Sequence, residues 1–217
     1  MAGSELALEL TTMPTTRLEA FSDGVFAIAA TLLILNVSVS SSSHLSSELL
    51  QIWPSYVAYA VSFVTIGVIW ANHHTVMAQI SQVNRTFLVI NTLFLTVVAF
   101  IPFPTRLLSE YILEPESAKA AAVAYGITLT LTAIMFNVLW RYAAVGRRLL
   151  RADASSRTVD GISRSYLPGP FLYAAATAVA LVNPYVSAGI YAAIALFYVV
   201  ESSIFGDSQG PELTPPR

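Results

Sequence analysis

The sequence contains no cysteine. That excludes a disulfide framework, a thiolate metal site and a thiol nucleophile. Charge is nearly as scarce: charged residues make up 11% of the chain, against about 25% in an ordinary soluble domain. With 55% hydrophobic residues and a mean hydropathy of +0.65, the composition is that of an integral membrane protein. There is no phosphate-binding glycine loop and no nucleophile elbow, so the common signatures of nucleotide-dependent and acyl-transfer enzymes are missing. Residues 1–14 hold two glutamates and no lysine or arginine. That is the wrong start for a cleaved signal peptide, and the first apolar segment is expected to stay as an anchor. The net charge of −2 identifies no partner, because membrane chains sort charge by side of the bilayer.

What is present is a series of apolar runs. Spans are expected over residues 17–38, 52–73, 86–108, 120–140, 167–181 and 185–204. The serines from Ser38 to Ser43, with His44, Ser46 and Ser47, read as a short loop. A polar connection follows from Asn72 to Arg85, and residues 109–118 form an acidic loop. Trp53 is placed as an interfacial anchor, and Pro102 and Pro104 should kink the far end of the third span. The connection over 141–165 carries Arg141, Arg147, Arg148, Arg151, Arg157 and Arg164. Asn183-Pro184 marks a tight turn. Residues 1–15 read as a flexible tail, 16–205 as the membrane domain and 206–217 as a disordered tail. Those six arginines, with Arg17, Arg85 and Arg217, lie on one side of the membrane, and only Arg106 and Lys119 on the other. Nine against two puts both termini in the cytoplasm.

The first run, RLEAFSDGVFAIAATLLIL from Arg17 to Leu35, differs from the others. On a helical wheel Ile28, Leu32 and Leu35 fall within about 60° of one another, with Thr31 beside them. Such a stripe fits ordinary helix packing. It also fits a narrow hydrophobic constriction if several copies meet around an axis, since thin apolar tubes shed water and act as gates. Asp23 lies about 140° from Ile28 on the same wheel and should point into neighbouring helices, where a carboxylate needs a partner. Gly24 would let another helix approach closely. A polar clamp of Arg17, Asp23, Asn72, His73 and His74 is therefore expected at the cytoplasmic end. The bland alternative keeps both histidines as interfacial residues.

The string R-x-x-x-F-S-D-G-V-x-A-I, standing at Arg17 to Ile28 and running on into Thr31-Leu32-Leu33, resembles the first-helix signature of the transmembrane protein 175 family of potassium channels, in its short prokaryotic form. Trp70-Ala71-Asn72-His73-His74 is similar to that family as well. The likeness in size and six-span layout covers almost the whole chain, though the later spans agree in layout more than in motif. The resemblance implies an all-α, six-helix subunit, a homotetramer, and a central pore lined by the first helix with no re-entrant filter. It implies that Ile28 is the principal constriction, that Leu32 and Leu35 are further apolar tiers, and that Thr31 is the polar position linked to potassium preference. Permeant K+ would then pass close to Ile28 and Thr31, with no other cofactor. Arg17, Phe21, Ser22 and Asp23 would belong to the structural signature that orients the helix. Animal members are endolysosomal and also pass protons; a short single-repeat chain like this one would sit in a prokaryotic plasma membrane.

A string at Thr65-Ile66-Gly67-Val68 bears a superficial likeness to the carbonyl filter of ordinary potassium channels. It lies inside an unbroken apolar span, without the Tyr-Gly or pore helix such a filter needs. A secondary transporter or proton-conducting protein is the main alternative. Transporters, however, are marked by broken helices and repeats, whereas the spans here show no paired Gly/Pro interruptions and few mid-membrane polar residues. An enzyme built on His73, His74 and Asp23 is disfavoured, since adjacent histidines on a helix point about 100° apart. Nothing calls for nucleic acid, because the arginines over 141–165 read as the positive-inside determinant.

Overall fold

The computed structural model describes residues 12–39 and 45–206. Residues 1–11, Ser40 to His44 and the C-terminal tail over 207–217 lie outside the described residues. Apart from one two-residue strand pair, the elements are helical. They run α1 (Thr16–Leu32), α2 (Leu45–Gln51), α3 (Trp53–Ala78), α4 (Arg85–Phe100), α5 (Pro102–Tyr111), α6 (Ala118–Ala144), α7 (Ser156–Tyr166), α8 (Gly169–Ala180) and α9 (Pro184–Gly206). The last turn of α1 tightens into a 3-10 turn at Leu33–Asn36. Strand β1 (Thr12–Met13) pairs antiparallel with β2 (Val83–Asn84).

Four helical segments are long and apolar enough to cross a membrane: Thr16–Asn36, Trp53–Ala78, Arg85–Tyr111 and Ala118–Arg147. The 12 residues of α8 reach about 18 Å, and the apolar helix Pro184–Val199 within α9 is likewise shorter than those four.

Local chemistry sets the breaks. Pro102 has no N–H to donate, so α4 stops at Phe100 and α5 begins on Pro102. The Asn36 side chain donates to the Pro102 carbonyl at 3.1 Å, which joins the end of the first span to this kink. Asn84 caps α4 by accepting from the Phe87 N–H at 2.9 Å.

Several expected loops are shorter than hydropathy implied. Ser46 and Ser47 lie in α2 rather than in a loop, and α3 runs through Asn72 to Ala78. Helix α5 takes in residues 109–111, and α7 occupies much of the basic connection. Thr12 and Met13, expected in a flexible tail, are tied to β2. For α3 and α5 the reason is the same. Hydropathy marks the hydrocarbon layer, but a helix keeps its backbone groups paired beyond that layer until a cap or a proline stops it.

Helix α6 is the hub. It packs against α4, α5, α8 and α9, whereas α1 packs on α3 and α4. The small residues Ala121, Ala122 and Gly126 open the α6 surface. At Gly126 a Cβ would collide with Tyr191 Oη and Thr177 Oγ1, so only glycine admits α8 and α9 at this distance. Tyr191 Oη donates to the Ala122 carbonyl at 3.3 Å. On another flank Thr105 Oγ1 donates to Ser62 Oγ at 2.9 Å, and Ser62 and Tyr125 hydroxyls are bonded at 2.9 Å. Every buried side-chain polar atom among the described residues has a partner, as a low-dielectric interior demands.

The outward stripe of the first helix and its polar support

Helix α1 has two faces. Leu18, Ser22, Phe26 and Ala29 are buried, and Leu33 continues that row. The opposite face is open in the subunit: Ile28 is 61% exposed, Leu32 42% and Leu35 70%. Thr31 lies exposed among them and donates its hydroxyl hydrogen to the Ala27 carbonyl at 2.9 Å and the Ile28 carbonyl at 3.0 Å. With its hydrogen committed to the backbone, the oxygen turns its lone pairs outward. Arg17, Phe21 and Gly24 share this open side. Among the described residues, no atom outside the helix comes within 4 Å of where a Gly24 Cβ would stand. The close approach expected at Gly24 is therefore absent among the described residues of the subunit, because the residue is one helical turn before Ile28 and faces outward with it.

The buried face is held by a directional chain of hydrogen bonds. His73 and Asn91 are joined at 2.9 Å, Nε2 to Oδ1; Asn91 Nδ2 donates to Ser22 Oγ at 3.0 Å; Ser22 Oγ donates to the Leu18 carbonyl at 2.8 Å. With the Asn91 amide donating to Ser22, its carbonyl oxygen must accept, so His73 carries its proton on Nε2. The His73 ring sits 5.4 Å from Phe26 and stacks on Phe94 at 5.8 Å.

The expected clamp is thus divided. Asp23 does turn from the stripe toward α3, but its partner is Trp70, whose indole Nε1–H donates to Oδ1 at 2.9 Å. Arg17 is exposed and forms no ion pair among the described residues. His74 is exposed with its ring 6.4 Å from Trp70. Asn72 faces another flank, where it accepts from Tyr166 Oη at 3.4 Å. The physical reason is helical: Trp70, His73 and His74 are near one another in sequence but project in different directions, so one residue set serves three neighbours. Asn91 went unrecognised in the sequence. Its signal was a lone amide in the run RTFLVINTLFLTVVAF, which needs a partner in a dry interior.

The family model described as endosomal/lysosomal potassium channel TMEM175 matches residues 17–102, from the start of α1 to the kink. A potassium channel of Chamaesiphon minutus is 42% identical over 194 residues, covering 87% of this chain and 95% of that protein. The chain belongs to the TMEM175 family. A potassium channel of Streptomyces collinus is 37% identical over 187 residues, covering 84% of this chain and 90% of the relative. The crystal structure of a lysosomal potassium-selective channel TMEM175 homolog from Chamaesiphon minutus superposes with a TM-score of 0.79 at 39% identity, over 87% of this chain and 97% of the other. The TMEM175 family is one of ion channels and not of enzymes.

Proposed function

We propose that this chain is the subunit of a potassium channel in which α1 of four copies lines a central pore. The observation that carries the reading is the open stripe of Ile28, Thr31, Leu32 and Leu35 on a helix whose other face is fully committed to α3 and α4. Family membership supplies the ion class. Six crossings per subunit accommodate the helices, with α4 and α5 as one kinked span and α8 and α9 as a hairpin on α6. Both termini and the arginine-rich connection lie on the cytoplasmic side of a prokaryotic plasma membrane, as the positive-inside rule requires.

In this arrangement Ile28 forms the narrowest ring, with Leu32 and Leu35 as further apolar tiers. A thin aliphatic ring offers no oxygen to replace an ion's hydration shell, so passage is taxed by dehydration. Potassium holds its water more weakly than sodium and is taxed less. Thr31 oxygens, one per copy, return part of the lost coordination, because their hydrogens are already bonded to the backbone. Selectivity is then real but lower than that of a carbonyl cage. Gly24, facing the same side, leaves room for the copies to converge below the ring.

Reconstitution of the full chain into liposomes tests this. Potassium-driven flux should exceed sodium-driven flux, and Ile28→Asn should wet the constriction and raise the current. Equal fluxes, or a current indifferent to Ile28, Thr31 and Leu35 alike, would reject the pore.

A further inference from the structure

The basic connection is a built surface rather than a loose loop. Residues 141–166 hold six arginines against Asp153 and Asp160. Two of the six are held by oxygen acceptors of the connection itself: Arg147 donates to the Ala154 carbonyl, and Arg151 pairs with Asp153 at 3.1 Å. Arg141, Arg148, Arg157 and Arg164 are exposed, and none has a carboxylate partner among the described residues. Arg148 lies over the Tyr142 ring at 4.7 Å.

Helix α7 holds two of these charges at a fixed height. Its apolar side, Val159, Ile162 and Tyr166, packs on the core, and Trp140 Nε1 donates to Ser163 Oγ at 2.9 Å. Arg157 and Arg164, seven residues apart, share the opposite side with Asp160, which pairs with neither among the described residues, so this face keeps a net positive charge. Only Leu167 and Pro168 separate α7 from α8, so the helix lies at the level where the chain re-enters the bilayer. This argument rests on the membrane topology proposed above.

We propose that the outer face of α7, with Arg141 and Arg148, docks anionic phospholipid headgroups of the cytoplasmic leaflet. Guanidinium groups bind phosphate oxygens bidentately, and a basic cluster just cytoplasmic of a membrane helix attracts an anionic leaflet. The bilayer itself supplies phosphates at this height, which favours lipid over a soluble anion. Occupancy bears on α1 through a continuous ladder of rings: Tyr166 to Phe136 at 4.8 Å, Phe136 to Phe94 at 5.6 Å, then His73 and Phe26.

Native mass spectrometry of the solubilised full chain, titrated separately with phosphatidylglycerol and phosphatidylcholine, tests the site without any flux. Phosphatidylglycerol should bind more tightly, and Arg157→Gln with Arg164→Gln should weaken it about 25-fold, at roughly fivefold per arginine. Lys119→Gln, a charge on the opposite side, should leave it unchanged. Equal binding of the two lipids, or an unaffected double variant, overturns the site; so does inorganic phosphate competing as effectively as the lipid. In vesicles, the parent's potassium flux should vary with phosphatidylglycerol content and the double variant's should not. A parent flux that ignores lipid charge overturns the link to α1. Absence of flux in every vesicle instead counts against the channel reading, and the binding result still decides the lipid site.

Discussion

Helices α6 and α1 are both long, apolar and membrane-crossing by length, yet the fold treats them oppositely. α6 buries 12 of its 27 residues and receives neighbours on several sides. α1 buries four of 17 and leaves Ile28, Leu32 and Leu35 uncovered by its own subunit. The polar groups differ too. Those of α6 are spent inside the subunit: Tyr125 on Ser62, Asn137 on the Tyr166 carbonyl. On α1, Ser22 is spent inside, while the Thr31 oxygen faces out with the stripe. A membrane offers no hydrophobic drive between helices, so burial of small residues and paired hydroxyls marks the scaffold. A one-sided helix whose exposed hydroxyl bonds only its own backbone marks the surface left for something else.

That contrast can be attacked by substitution. The largest loss of stability is expected in the scaffold. Gly126→Ala places a methyl against Tyr191 Oη and Thr177 Oγ1 and should cost about 3 kcal/mol, read as a lowered melting temperature in detergent. Adding Tyr191→Phe removes one colliding oxygen and should recover part of it. Next is the joint between the two regions. Asn91→Leu strands His73 Nε2 in a buried site and removes the donor to Ser22 Oγ, which keeps its bond to the Leu18 carbonyl, and should cost about 2 kcal/mol. A melting point equal to the parent's would mean that the chain of bonds does not hold α1. Trp70→Phe deletes the exposed bond to Asp23 and should cost about 1 kcal/mol or less. Smallest in stability are the stripe variants. Ile28→Asn and Thr31→Ala should move the melting point by less than about 0.5 kcal/mol equivalent. Their effects belong to flux: a larger current for the first, and a reduced preference for potassium over sodium for the second. If either stripe variant unfolded the subunit as Gly126→Ala does, the distinction between scaffold and open face would be lost.

Much of this was legible in the chain. The apolar runs, the proline break at Pro102 and the family signature at Arg17 to Ile28 depend on local composition and spacing, which hydropathy and a helical wheel read directly. The direction of Asp23 was legible for the same reason. Its partner was not: Trp70 is 47 residues away in sequence, and the wheel of α1 carries no information about which α3 residue arrives opposite. Nor could the chain say that His73 would go to Asn91 and Asn72 to Tyr166, since residues adjacent in a motif separate once the helix has neighbours on different sides.

The sequence by itself determined that the protein lives in a membrane, where its helices break and which stripe of the first helix is continuous and aliphatic, because each follows from side-chain chemistry within one or two turns. Only the tertiary structure decided that this stripe stays uncovered while the far side of the same helix is sealed by Phe26, Ser22 and their partners. Exposure is a property of what packs against a face, and α3 and α4 take only one side of α1.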